Sequence, residues 1–212
     1  SDSSAVLKAR EYFFQGVLAQ SASRSMEAFD LLRHARALDP TDPTIAFVLG
    51  GSYAQQGQSS RALPLLEEAY ASDTTNLTFA RTLSGAYVEA GRMQDALRVN
   101  ERLAEADPED DDVRYRLIQL YARTGELKKG IELATQLQKR FRPMPSAYGQ
   151  LTKLKIQLLT LSKDSVAVGR EYHTWADLYP DDRRPYYDWI LHLFETGSAE
   201  EAERQLTADT RR

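Results

Sequence analysis

The chain has 212 residues, of which 42% are hydrophobic and 27% charged, with a formal net charge of -4 and no Cys. Those proportions are ordinary for a folded, soluble protein and disfavour a disordered or membrane class. With no surplus of Lys and Arg to neutralise phosphates, nucleic-acid binding is disfavoured, and the lack of Cys removes disulfides, thiolate metal sites and Cys nucleophiles.

From the N-terminus, "SDSSAVLKAR" lacks the charged-then-apolar order of a signal peptide, and no run reaches the ~18 apolar residues of a membrane span. Tyr12 and Gly16 then precede "AFDLLRHARALDP", whose Ala28, Leu32 and Ala35 lie on one helical face before Pro40. "DPTDP" at Asp39 ends one helical hairpin and begins the next, since Pro cannot continue a helix and acids suit a helix N-terminus.

From here a 34-residue period is plain. Leu49-Gly50-x-x-Tyr53, followed by Gly57, Ala62, Leu66 and Ala69, recurs as Leu83-Ser84-x-x-Tyr87 with Gly91, Ala96, Asn100 and Leu103. It recurs again as Leu117-Ile118-x-x-Tyr121 with Gly125, Gly130, Ala134 and Leu137. Small residues at Gly50, Ala62, Ser84 and Ala96 allow two antiparallel helices to approach closely. The glycines at 57, 91, 125 and 197 stand where the first helix of each pair must stop, in a left-handed conformation that costs Gly nothing sterically. "DPEDDD" at Asp107 reads as a solvated turn and helix cap. Arg114 in a large aromatic slot, Asn100 in a bulky apolar one and Gly130 in place of Ala predict looser packing of the third and fourth units. The fifth unit spans 38 residues, and "YGQLTKLKIQLLTL" predicts a first helix about one turn longer, with a bend or shifted groove. The sixth recovers the pattern in Tyr186, Trp189, Ile190, Gly197 and Ala202.

This pattern resembles the tetratricopeptide repeat family, whose signature runs W-x2-L-G-x2-Y, then G, A-x3-F, A and P. The resemblance implies an all-α, right-handed α-solenoid of about six helical hairpins, read as a single solenoid over 1–212 with units near 9–42, 43–76, 77–110, 111–144, 145–182 (irregular) and 183–212. It also implies a non-catalytic protein–protein interaction scaffold whose first helices line a concave groove for a segment of a partner protein. Carried over position by position, that face holds Phe13, Val17 and Gln20, then Phe47, Gly51 and Ala54, then Arg81, Gly85 and Val88. It continues with Tyr115, Gln119 and Arg123, and with Tyr187, Leu191 and Phe194. Phe13, Phe47, Arg81, Tyr115 and Tyr187 thus form a ladder of residue types that dominate interface energetics, unless the aromatics are consumed in packing on the adjacent repeat. The two-carboxylate clamp by which some family members hold acidic chaperone tails is absent, its slots being Phe13, Val17, Val48, Thr78 and Thr82. In the alternative reading the chain is a structural subunit whose ends or convex face pack into a larger or self-associated assembly. "EYFFQGVLAQ" with "AFDLLRHARALDP" resembles the opening hairpin of exported bacterial envelope proteins and tilts the compartment that way, the cytoplasm being the alternative.

No catalytic, cofactor or metal constellation is visible. His34, His173 and His192 lie in three separate units, with no HExxH and no GxSxG, and the acids from Asp107 to Asp112 lack the Gly and distal Glu of a calcium loop. Lys139, Arg140 and Arg142 read as a solvated basic face. In the last unit only Ala199, Ala202 and Leu206 form an inward stripe on the second helix, while "RPYYDWILHLF" carries more apolar bulk. Tyr187, Leu191 and Phe194 are therefore expected to be exposed, and to be covered by another molecule or by further residues of a longer chain.

Overall fold

The computed structural model describes residues 3–209, with side chains through 204. Among the described residues there are twelve helices and no strands. In order they are α1 (Ser3–Ser21), α2 (Ser25–Leu38), α3 (Pro43–Gln55), α4 (Ser59–Ser72), α5 (Leu77–Glu89) and α6 (Met93–Ala106). The others are α7 (Asp111–Thr124), α8 (Leu127–Phe141), α9 (Pro145–Leu161), α10 (Ser165–Leu178), α11 (Arg184–Glu195) and α12 (Ala199–Asp209). The chain divides into two compact units, Ser1–Val113 and Arg114–Arg212.

Local chemistry sets the ends of these helices. Asp42 caps α3 by accepting from the Thr44 and Ile45 amides at 2.7 and 3.1 Å, and Pro43 begins that helix. Asn76 caps α5, and Asp110 caps α7 in the same way. At the turns within hairpins, Gly57, Gly91, Gly125 and Gly197 have φ between +70 and +82°. The first and fifth hairpins turn instead on Ser23 and Lys163, at φ +59 and +61°. A side chain in that region costs about 1–2 kcal/mol. Lys163→Gly is therefore expected to stabilise the protein by about 0.5–1 kcal/mol after the entropy Gly forfeits, as a rise in the urea midpoint would show.

In the N-terminal unit each hairpin closes on a small residue. A Cβ added at Gly16 or Gly50 would stand 3.0 Å from Leu32 or Leu66 of the second helix. In the third hairpin the pair becomes Ser84 and Asn100, both fully buried, with the Asn100 amide donating to the Ser84 hydroxyl and to the Ala96 carbonyl. In the C-terminal unit the corresponding Ile118 and Ala134 share one core cluster. As the first-helix residue grows from Gly to Ser to Ile, its partner shrinks from Leu to Asn to Ala, so the packed volume is held nearly constant.

The looser third and fourth units expected from Asn100 and Gly130 are therefore not found. Asn100 is enclosed with a polar partner, and the space at Gly130 is filled by Leu158 methyls, 3.0 Å from where a Cβ would stand, and by Tyr121. At Gly130 the missing volume comes largely from Leu158 of the following hairpin, which a single repeat cannot reveal.

α9 has 17 residues against 13 in α3 and α5, the extra turn the sequence predicts. Leu151, Leu154 and Leu158 pack in the cluster that contains Ala134 and Leu137 of α8, while Tyr148, Ile156 and Leu159 pack with Val168, Tyr172 and Trp175 of α10. In the last hairpin Ile190, Leu193 and Ala202 form a small core. Ala199, expected to point inward, is exposed at the first residue of α12, and Leu206 falls outside the described side chains.

Candidate functional site

The first-helix faces are described unit by unit. In the N-terminal unit, Phe13 is half-buried against Ala9, Ala35 and Ile45, and Val17 is half-buried beside it. Phe47 rests on Phe79 of the next hairpin, with ring centroids 4.7 Å apart. The exposed Arg81 guanidinium pairs with the Asp110 carboxylate. Asp110 is held below the ordinary aspartate range, first by the Val113 amide and then by Arg81. These rungs therefore serve the stacking of hairpins and stay partly exposed.

Between the rungs lies the most open ground. Beyond the local helix backbone, a Cβ at Gly51 or Gly85 would meet no atom within 4 Å, although both glycines stand inside helices. Neighbouring first helices are tied together beside them by the Gln20 amide, which donates to the Ser52 hydroxyl at 2.9 Å. On the second-helix side, the Arg36 guanidinium makes two bonds, 2.6 and 3.0 Å, to Glu68 of the next hairpin.

In the C-terminal unit Tyr115 is half-buried against the cluster around Ile118 and Leu151. Gln119 and Arg123 are exposed. On α11, Tyr187, Leu191 and Phe194 are 62, 59 and 46% exposed, as the sequence predicts for that helix.

Several other polar groups are engaged structurally. The Tyr87 phenol, pushed up to about 12 by burial and by Glu67, donates to the Glu67 carboxylate at 2.9 Å with Arg92 over its ring. Asp95, beside a cleft of about 180 Å³ lined by Tyr70, Tyr87 and Arg102, is bound by Arg92 and Arg98. His34 stacks on Tyr12, and His173 and His192 pack near Trp189. Among the described residues no three His, Asp or Glu side chains group as metal ligands would, and no helix is long and apolar enough to cross a membrane.

One constellation is missed by the sequence reading. Lys155, nine parts in ten buried, donates to Glu171 at 2.5 Å and to the Gln138 carbonyl oxygen at 3.0 Å. The Gln138 amide in turn donates to Thr152 and Glu171 at 2.9 and 3.0 Å. The ring of Lys155, Gln138 and Glu171, with Thr152 attached through Gln138, joins α8, α9 and α10. Its signal in the sequence is Lys155 among the leucines and isoleucine of "LKIQLL", where a solvated side chain would be unexpected.

Two tetratricopeptide repeat family models match residues 15–76 and 53–111. No curated protein matches the chain. Among solved structures, YrrB, described as a TPR protein with an unusual peptide-binding site, is similar with a TM-score of 0.67 and 16% identity, over 84% of this chain and 89% of that one. A tetratricopeptide repeat protein from Parabacteroides merdae ATCC 43184 gives 0.69 at 16% identity, over 95 and 78%. MamA AMB-1 gives 0.64 at 22% identity, over 81 and 99%. At such identities the likeness is one of fold.

Proposed function

Because the chain is a tetratricopeptide repeat protein, built on a fold that generally serves as a protein-interaction scaffold, we propose that it acts without catalysis by holding a peptide segment of a partner protein against its first helices. The observation that carries this reading is the pair Gly51 and Gly85. Gly inside a helix costs about 1 kcal/mol relative to Ala, and the chain's own packing requires neither, since beyond the local helix backbone no atom stands within 4 Å of either Cβ position. Close approach of a partner's main chain gives both glycines a use. Phe47 and Arg81 flank them one turn earlier, as an apolar and a cationic contact. In the C-terminal unit the equivalent face offers Tyr115, Gln119, Arg123 and Leu191, with Tyr187 and Phe194 at its end. The chaperone-tail slots hold apolar residues and threonines, so the preferred segment is not one ending in paired carboxylates.

The test begins with peptides selected from a random 12-residue library on the wild-type protein. Gly51→Ala with Gly85→Ala is expected to raise stability by about 1–2 kcal/mol while weakening those peptides about tenfold or more in fluorescence anisotropy. Unchanged affinity in the stabilised variant overturns the proposal.

A further inference from the structure

The second helices of the N-terminal unit share a contact that is complete between one pair of hairpins and incomplete between the next. Between α2 and α4, the Arg36 guanidinium donates to both oxygens of the Glu68 carboxylate, at 3.0 and 2.6 Å. Thirty-four residues further on, the same two positions hold Tyr70 of α4 and Arg102 of α6. The guanidinium now stands on the later helix, and no carboxylate faces it. Among the described residues Arg102 makes one hydrogen bond, to the Tyr70 hydroxyl at 3.4 Å, which is longer than the usual range. Glu105, on the same helix, reaches it electrostatically without bonding it. Asp95 does not serve it either, because Arg92 and Arg98 already hold its two carboxylate oxygens.

Arg102 lines the cleft of about 180 Å³ whose other walls include Tyr70, Leu83, Tyr87 and Val99. Those four side chains are buried, whereas Arg98 and Arg102 are exposed, so an apolar floor lies beneath a cationic rim. We propose that this cleft binds a glutamate side chain of a partner protein, with its methylenes on Leu83 and Val99 and its carboxylate on the Arg102 guanidinium. The occupant follows from charge and from the chain's own use of the same register, in which a Glu forms the two-bond pair with Arg36. A planar guanidinium offers a carboxylate two parallel donors. The Tyr70 hydroxyl, which accepts from Arg102, still has a proton to donate to the same carboxylate. The apolar floor favours Glu over the shorter Asp, and a bare phosphate would leave that floor uncovered. This site lies apart from the first-helix groove, and neither reading depends on the other.

The probe is a display library of peptides with one fixed Glu between random flanks, selected on the wild-type chain and counter-selected on Arg102→Gln, a change at an exposed position. In fluorescence anisotropy the recovered peptides are expected to weaken about tenfold or more when their Glu becomes Gln or when the protein carries Arg102→Gln. Making both changes together is expected to add no further loss. Affinity is expected to survive Gly51→Ala with Gly85→Ala, which separates this site from the groove, and the methyl resonances of Leu83 and Val99 are expected to shift on binding. Arg102→Lys keeps the charge without the planar fork, so it should fall between wild type and Arg102→Gln, and it replaces the latter should that variant lose its helical circular dichroism. Four results each overturn the proposal: recovery of no peptide that needs both Arg102 and its own Glu, loss of binding in the double-alanine variant, unmoved Leu83 and Val99 methyls, or displacement by inorganic phosphate while the change of Glu to Gln costs nothing.

Discussion

Trp175→Ala is expected to lower the stability of the C-terminal unit by about 3–5 kcal/mol, the usual cost of removing a large buried aromatic. Trp175 is fully buried between α9 and α10, packed with Tyr148, Val168 and Tyr172. It fits a notch made by Gly149, where an added Cβ would come within 2.6 Å of the indole. Trp189 is placed similarly over Gly169, so two successive helix contacts in this unit consist of a Trp ring lying on a Gly. The notch cannot close by a small shift once the ring is gone, because Tyr148 and Val168 hold its walls. The indole N–H is buried without a hydrogen-bond partner, so Trp175→Phe, which removes that orphan donor, should cost clearly less than Trp175→Ala. Urea unfolding followed by circular dichroism checks both. A loss below about 1 kcal/mol for the alanine variant would contradict tight packing at this contact.

Lys155→Met should rank close behind, at about 3–5 kcal/mol, because removing one member of a buried ion pair strands the other. Glu171 would keep its bond to the Gln138 amide but lose the buried Lys155 ammonium, and Gln138 would lose a donor to its carbonyl oxygen. The double variant Lys155→Met/Glu171→Leu is expected to recover most of that loss, since an apolar pair of similar volume fits between α9 and α10 without stranding a charge. A double-mutant cycle on unfolding free energies measures the difference. Equal destabilisation of the single and double variants would show that the ring acts through packing alone.

These two sites differ in how far the sequence exposes them. Gly149 and Trp175 stand 26 residues apart, with nothing local to say that one receives the other. Lys155 interrupts an apolar run, which marks it as unusual, but its partners Gln138 and Glu171 lie on different helices and are chosen by the packing of three helices together. Arg81 is a similar case. Its residue type and repeat position are plain in the sequence, whereas its pairing with Asp110 follows from the side-by-side approach of α5 and the cap of α7.

What the sequence determines by itself is everything set by chemistry within a few residues. Asp42 and Asn76 accept amides two and three positions on, so the helix starts are local. The four turn glycines adopt positive φ because each stands where a helix must end, and the longer apolar run of the fifth unit produces the longer α9. Only the tertiary structure decides how equivalent positions are used. Phe47 is half-covered because Phe79 of the next hairpin lies 4.7 Å away, while Tyr187 at the same repeat position is 62% exposed. Gly130, which looks like a packing defect in its own repeat, is filled by Leu158 from the next one. A repeat's period dictates its own helices, but the exposure of each side chain depends on the volume and charge that a neighbour some thirty residues away brings into contact.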